Sequence, residues 1–138
     1  FLRKHGVDTV AVKKIFQSDL AHYTSRAHIV GAAEFVQDDI AVAVNTEPVS
    51  DAPIVAAQAA DELLGIEGVE ASFVITQEGG TVLISGRSWG GYNVQVILEK
   101  LGGGGHMTVA GAQFYDSSVQ EVKEQLLSAI DEYMSERE

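Results

Sequence analysis

The sequence predicts an α/β domain: a small mixed β-sheet of about four or five strands flanked by helices, preceded by a helical connector. Three observations predict it. The 138 residues are 46% apolar, enough for one packed core. Apolar residues recur at helical spacing in stretches that alternate with strand-like runs. Gly79-Gly80 sits between two such runs and marks a hairpin, so the sheet is not wholly parallel.

The elements follow in order. Val7, Val10, Ile15, Leu20, Tyr23, Ala27 and Val30 space one or two helices over about 8–31, with Ser18 and Asp19 as candidate N-caps of a second. Phe35-Val36 and Ile40–Val44 are strands around an Asp38-Asp39 turn. The second is apolar on both faces, as in a sheet interior. Asn45 to Ala52 is a loop, and Pro53 suits a helical first turn. Ile54, Ala57, Ala60, Leu63 and Leu64 then give a helix its apolar face, closed by Gly65. Val69–Thr76 and Thr81–Arg87 form the hairpin, with Val82, Ile84 and Gly86 on one face and Leu83 and Ser85 on the other. Trp89-Gly90-Gly91-Tyr92 is a loop, and Asn93 caps a short helix over Val94–Leu101. After Gly102–Gly105 and His106, Met107–Tyr115 returns as strand. Ser118-Val119-Gln120-Glu121 is a capping box, followed by a helix with Val122, Leu126, Ile130 and Tyr133 on one face.

Composition excludes several chemistries. There are no cysteines, which removes disulfides, Cys-ligated zinc and thiol nucleophiles. No apolar run approaches the roughly 20 residues that cross a bilayer. The chain opens on Phe1 rather than Met, without a signal peptide, and is read as a piece of a longer protein. The net charge of −11 is segregated: residues 34–84 hold ten acidic groups and no basic one. Long polyanions bind through many Lys and Arg contacts. No such stripe exists, so long nucleic acid is not an expected partner. A small phosphate ligand needs only one or two cations and some backbone N–H groups. Arg87 is the single basic residue between Arg26 and Lys100, which draws attention to it.

Four consecutive glycines cost backbone entropy. A cap and a tight turn account for one or two of them, not for all four. Glycines also let N–H groups converge on an anion. No Lys-Ser/Thr follows the run, so it is not a P-loop. His106 can donate to a phosphate, stack on a base, or act as acid or base. Arg87-Ser88 ends the preceding strand, and Asn93 caps the helix that leads into the glycines. Positions 93 and 102 are roughly 13 Å apart along that helix, a span suited to a dinucleotide if both loops touch it. His5, His22, His28 and His106 lack zinc-type spacing, and neither Asp38-Asp39 nor His5 with Asp8 makes a convincing metal site. No serine-hydrolase elbow surrounds Ser85 or Ser88.

Ser85-Gly86-Arg87-Ser88, the string Asn93–Leu101, and Gly102–Gly105-His106-Met107-Thr108 together resemble the DHH-associated C-terminal lobe of the DHH phosphoesterase superfamily. Within it, the string is most similar to the membrane-anchored cyclic-di-AMP phosphodiesterases, which carry a PAS domain and a degenerate GGDEF domain upstream. The resemblance covers about residues 30–136. It implies that 1–29 are the end of the catalytic DHH lobe and a connecting helix, and that 30–138 are the substrate-binding lobe. Two departures stand out: Trp89-Gly90-Gly91-Tyr92 where relatives tend to be acidic, and Ala110-Gly111, closer to oligoribonuclease-like members.

The resemblance implies a manganese-dependent phosphodiesterase that opens cyclic di-AMP to linear pApA. Mn2+ would be held in the DHH lobe, outside this chain, and this chain alone would be inactive. Gly103, Gly104, Gly105 and His106 would grip phosphate or base, Arg87 and Ser88 another phosphate, and Asn93 would shape that loop. No catalytic or metal residue falls within this chain. The domain would be cytoplasmic, with the parent protein anchored in a bacterial membrane, and a homodimer is one assembly open to it. Three alternatives stay open: the same fold acting on short oligoribonucleotides or 3′-phosphoadenosine 5′-phosphate, an RNA-binding appendage, disfavoured by the charge, and a packing domain.

Overall fold

A computed structural model describes residues 9–137. Val7 of the leading apolar series and the pair His5 and Asp8 lie outside the described residues. Four helices, α1 (Thr9–Gly31), α2 (Ala52–Leu64), α3 (Val94–Glu99) and α4 (Val119–Arg137), accompany six strands. The strands are β1 (Glu34–Val36), β2 (Ile40–Val44), β3 (Ala71–Glu78), β4 (Thr81–Ser88), β5 (Gly104–Gly105) and β6 (Val109–Tyr115). They form one mixed α/β sheet in the order β1-β2-β3-β4-β6-β5. Only β2 and β3 run parallel, and α2 is the crossover that a parallel pair requires. The sheet exceeds the expected four or five strands because the glycine run itself supplies β5, pairing Gly104 with Gly111.

Each face of the sheet has its own core. On one, Phe73, Ile75, Val82 and Ile84 pack under Ile97 and Leu98 of α3 and Leu126 and Ile130 of α4. On the other, Ala41, Ala43 and Val74 pack under Val55, Ala59 and Leu63 of α2 and Ile29 of α1. The run Ile40–Ala43 is buried on both sides, as its unbroken apolar pattern demands. Gly86 is small for a packing reason: a Cβ there would stand 3.0 Å from the Phe73 ring and 3.3 Å from Leu98. Fully burying a side chain such as Phe73 stabilises the fold by roughly 1.5–3 kcal/mol.

Several expectations are corrected. The first helix is continuous, so Ser18 and Asp19 cap nothing. No Gly or Pro interrupts it before Gly31. Its apolar series is largely exposed: Val10, Ile15, Leu20 and Tyr23 are exposed, and Ile29 alone is buried. The second half of α1 lies along α2, through His22 with Asp51 and Arg26 with Glu62 and Gln58. In α2 the buried face runs through Ala52, Val55, Ala56, Ala59 and Leu63, leaving Ile54 more than half exposed. Three residues of the expected face, Ala60, Leu63 and Leu64, are buried as read, while Val55, Ala56 and Ala59 take the place of Ile54 and Ala57, so the Ala-rich side lies against the sheet. α3 ends at Glu99 rather than Leu101, its last turn tightening as Gly102 N–H donates to Glu99 O.

Candidate functional site

Alternate residues of a strand share a face, and so do residues directly opposite in an antiparallel ladder. Leu83, Ser85 and Arg87 of β4 therefore face the α2 side, with Gln113, Gly111 and Val109 beside them on β6. Gly104 of β5 lies opposite Gly111. α2 packs on β3 and β4 rather than on β6 and β5. A cleft of about 520 Å3 results, between Pro53 at the start of α2 and Gly102–Gly104, floored by Ser85, Gly111 and Gln113. A second hollow of about 460 Å3 beside α4 is lined by Glu121, Glu124 and Glu132 with Lys100. Its acidic wall makes it a poor host for an anion.

The glycines divide by cause. Gly102 (φ +85°) and Gly105 (φ +144°) hold backbone angles that disfavour side chains. A Cβ on Gly105 would also stand 2.5 Å from Val109 O, and one on Gly103 2.3 Å from Gly111 O. Packing and turn geometry thus explain three glycines, correcting the expectation of one or two. Gly104 is the exception: nothing lies within 4 Å of where its Cβ would be, and it is exposed on the edge strand beside the cleft. Its lack of a side chain has no reason inside the fold.

The sequence-predicted residues come together unequally. His106 is exposed, its N–H donating to Val109 O at 2.6 Å, and its ring makes no hydrogen bond among the described residues. Arg87 is not solitary: Nε donates to Asp61 Oδ1 at 3.0 Å and Nη1 to Gly86 O at 2.9 Å. Its Nη2 has no partner among the described residues. Ser88 is 4% exposed, and its hydroxyl donates to Tyr92 O at 2.6 Å while accepting from Gly90 N–H. That hydroxyl holds the loop together. Asn93 accepts from Val96 N–H at 3.1 Å as the N-cap of α3, and its own N–H donates to Tyr133 Oη at 2.9 Å. The two loops meet. His106–Thr108 folds back along α3, so Ser88 N–H reaches Thr108 O and Val94 N–H reaches Met107 O, both at 3.0 Å.

Tyr92 anchors this junction from below. Its hydroxyl donates to Asp39 Oδ1 at 2.6 Å, and its ring lies beside Tyr133 and under the Arg137 guanidinium. Burial, aided by the Asp39 carboxylate, raises the Tyr92 pKa above its ordinary value. Gly111 and Asp61 were not anticipated as site residues. The small run Ala110-Gly111-Ala112 inside a strand is a legible signal for the first. No local pattern links Asp61 to Arg87, 26 residues away.

The family model described as "DHHA1 domain" matches residues 39–136. Over 134 residues the chain is 45% identical to "Cyclic-di-AMP phosphodiesterase PdeA" of Listeria monocytogenes, covering 96% of this chain and 20% of that protein. It is 47% identical over 134 residues to "Cyclic-di-AMP phosphodiesterase GdpP" of Geobacillus thermodenitrificans, again 96% and 20%. The chain thus spans about a fifth of the length of these relatives. Among solved structures, an exopolyphosphatase-related protein from Bacteroides fragilis superposes with a TM-score of 0.70 at 18% identity, covering 96% of this chain and 41% of that one. At that identity the likeness is one of fold.

Proposed function

The chain belongs to the DHHA1 domain family, and we propose that it is the nucleotide-holding lobe of a phosphodiesterase that opens cyclic di-AMP to linear pApA. The observation that carries this reading is the row on the α2 side of the sheet. Gly104, free of any internal constraint, stands beside the Gly111 and Ser85 floor, and Arg87 follows one step along the same face. The names of the relatives supply the substrate.

In this reading the exposed glycine backbone and His106 take one phosphate or base, and Arg87 another phosphate through its remaining N–H donors. Asp61 keeps the guanidinium along the sheet; Arg carries five donors, so a phosphate can share it. Ser88 and Asn93 act through the loop they shape. Residues 1–29 end the preceding lobe and connect it, which gives the exposed apolar side chains of α1 a surface to meet. The described residues do not fit Mn2+, since no group of three or more His, Asp or Glu converges among them. The metal belongs to the preceding lobe, and no step in this chain runs through it. No described helix is long and apolar enough to cross a membrane, so an anchor would lie elsewhere in the parent.

The test uses a longer chain that adds the preceding lobe, loaded with manganese and offered cyclic di-AMP, linear diadenylate and 3′-phosphoadenosine 5′-phosphate. Cleavage of the cyclic substrate to pApA supports the reading. Preference for the linear substrates transfers the fold to oligoribonuclease-like work, and no cleavage of any overturns it. His106→Ala in that longer chain lowers activity at least about tenfold, the loss of one transition-state contact. The present chain alone, given manganese, hydrolyses none of the three.

A further inference from the structure

We propose that the Trp89 indole is the platform on which one base of the bound nucleotide stacks. The inference rests on the nucleotide-binding reading above and names a residue for it. Trp89 N–H donates to Glu70 O at 3.2 Å, which carries the β3–β4 pairing one residue past its last strand pair, Ala71 with Ser88. The alternation of Ser85 and Arg87 therefore extends to Trp89. The side chain confirms the side: Nε1 donates to Leu64 O at 3.1 Å, at the C-terminal end of α2. The row thus reads glycine floor, guanidinium, indole. Strand steps of two residues are roughly 6.8 Å, so the indole stands about 14 Å along the strand from the Ser85 floor.

Two features separate a platform from a packing residue. A tryptophan that served the core alone would be covered, because its ring is the largest apolar surface available to a fold. Trp89 is 66% exposed although its ring is tethered by a hydrogen bond. Its neighbours stay out of the way. Gly90 holds φ +118°, and neither Gly90 nor Gly91 has an atom within 4 Å of where a Cβ would be. Across the ladder, the half-exposed Met107 and Val109 give an apolar rim, brought alongside by Ser88 N–H on Thr108 O and by Arg87 opposite Val109. A pinned, open ring beside a cation suits a nucleotide: phosphate at Arg87, base on the indole. Stacking is tolerant of base identity, so Trp89 supplies affinity rather than base choice.

Trp89 is the single tryptophan of the chain, so its emission reports the platform alone. The chain is titrated with linear diadenylate and with cyclic di-AMP, following emission, while equilibrium dialysis measures binding independently. Pyrophosphate serves as the ligand without a base. The expected result is saturable quenching by both dinucleotides along the dialysis curve, and none by pyrophosphate. Trp89→Ala then weakens dialysis binding about tenfold, within the range of one base–aromatic stack, and Trp89→Phe restores it to within about threefold. Phe stacks but cannot donate to Leu64 O, so a purely structural indole would make the two variants equally poor. Binding without quenching, or equal loss in both variants, overturns the platform and leaves the binding reading standing. No retention of either dinucleotide by the wild-type chain removes the binding reading, and the platform with it.

Discussion

On the α3–α4 side of the sheet, Phe73, Ile75 and Ile84 lie under Ile97, Leu98, Leu126 and Ile130, and all are buried. On the α2 side, β4 and β6 carry Ser85, Arg87, Gly111 and Gln113, and the outer part of that side is open. The same two strands supply both surfaces. One parity of β4, through Val82 and Ile84, contributes to stability, and the other presents the floor of a cleft. Position along the strand therefore predicts which property a substitution moves, and the contrast can be attacked from either side.

The largest effect is expected on the sealed face. Phe73→Ala removes a fully buried ring and destabilises the chain by about 3–5 kcal/mol in urea unfolding. A loss below about 1 kcal/mol would mean that this face is not the sealed one. Next comes a pair of variants one residue apart on the edge strand. Gly105→Ala meets Val109 O at 2.5 Å with φ at +144°, and is expected to cost more than about 1 kcal/mol. Gly104→Ala meets nothing, so stability is kept within about 0.5 kcal/mol, while dinucleotide affinity falls at least about tenfold because the methyl enters the cleft. Equal stability loss in both would erase the division of the glycines by cause.

The smallest effect belongs to the start of α4. Ser118 N–H donates to the Glu121 carboxylate, and Glu121 N–H to Ser118 Oγ. The backbone N–H bond is the main reason the Glu121 pKa lies below its ordinary value. A depressed folded pKa contributes stability above the unfolded carboxylate range, and that stability is lost as pH falls through the folded value. Glu121→Gln should therefore be less stable than wild type at neutral pH, the difference closing in acid, with dinucleotide affinity unchanged. Denaturant melts at several pH values check the convergence.

Much of this was legible beforehand because it is local. The Asn93 cap, the Ser118–Glu121 capping box, the Gly79-Gly80 hairpin and the doubly buried run Ile40–Ala43 each depend on residues a few positions apart. The exposure of Ile54 on α2 and of much of the apolar stripe of α1 was not legible. Both depend on which surface comes to lie opposite, and periodicity says only that some face is apolar. Arg87 shows the same limit: its isolation among acidic residues was visible, its pairing with Asp61 was not.

The sequence by itself determined the order of the main helices and strands, the caps of α3 and α4, and the presence of four glycines and a histidine where a helix hands over to a strand. Those features follow from short-range hydrogen bonding and backbone freedom. Only the tertiary structure decided that three of the glycines answer to turn geometry and to β6 packed against them, that Gly104 does not, and that Ser85, Arg87 and Trp89 share the side on which α2 lies. A strand's alternation defines two sides without naming them. The helices that come to cover each side, from residues far along the chain, decide which is sealed and which can meet a ligand.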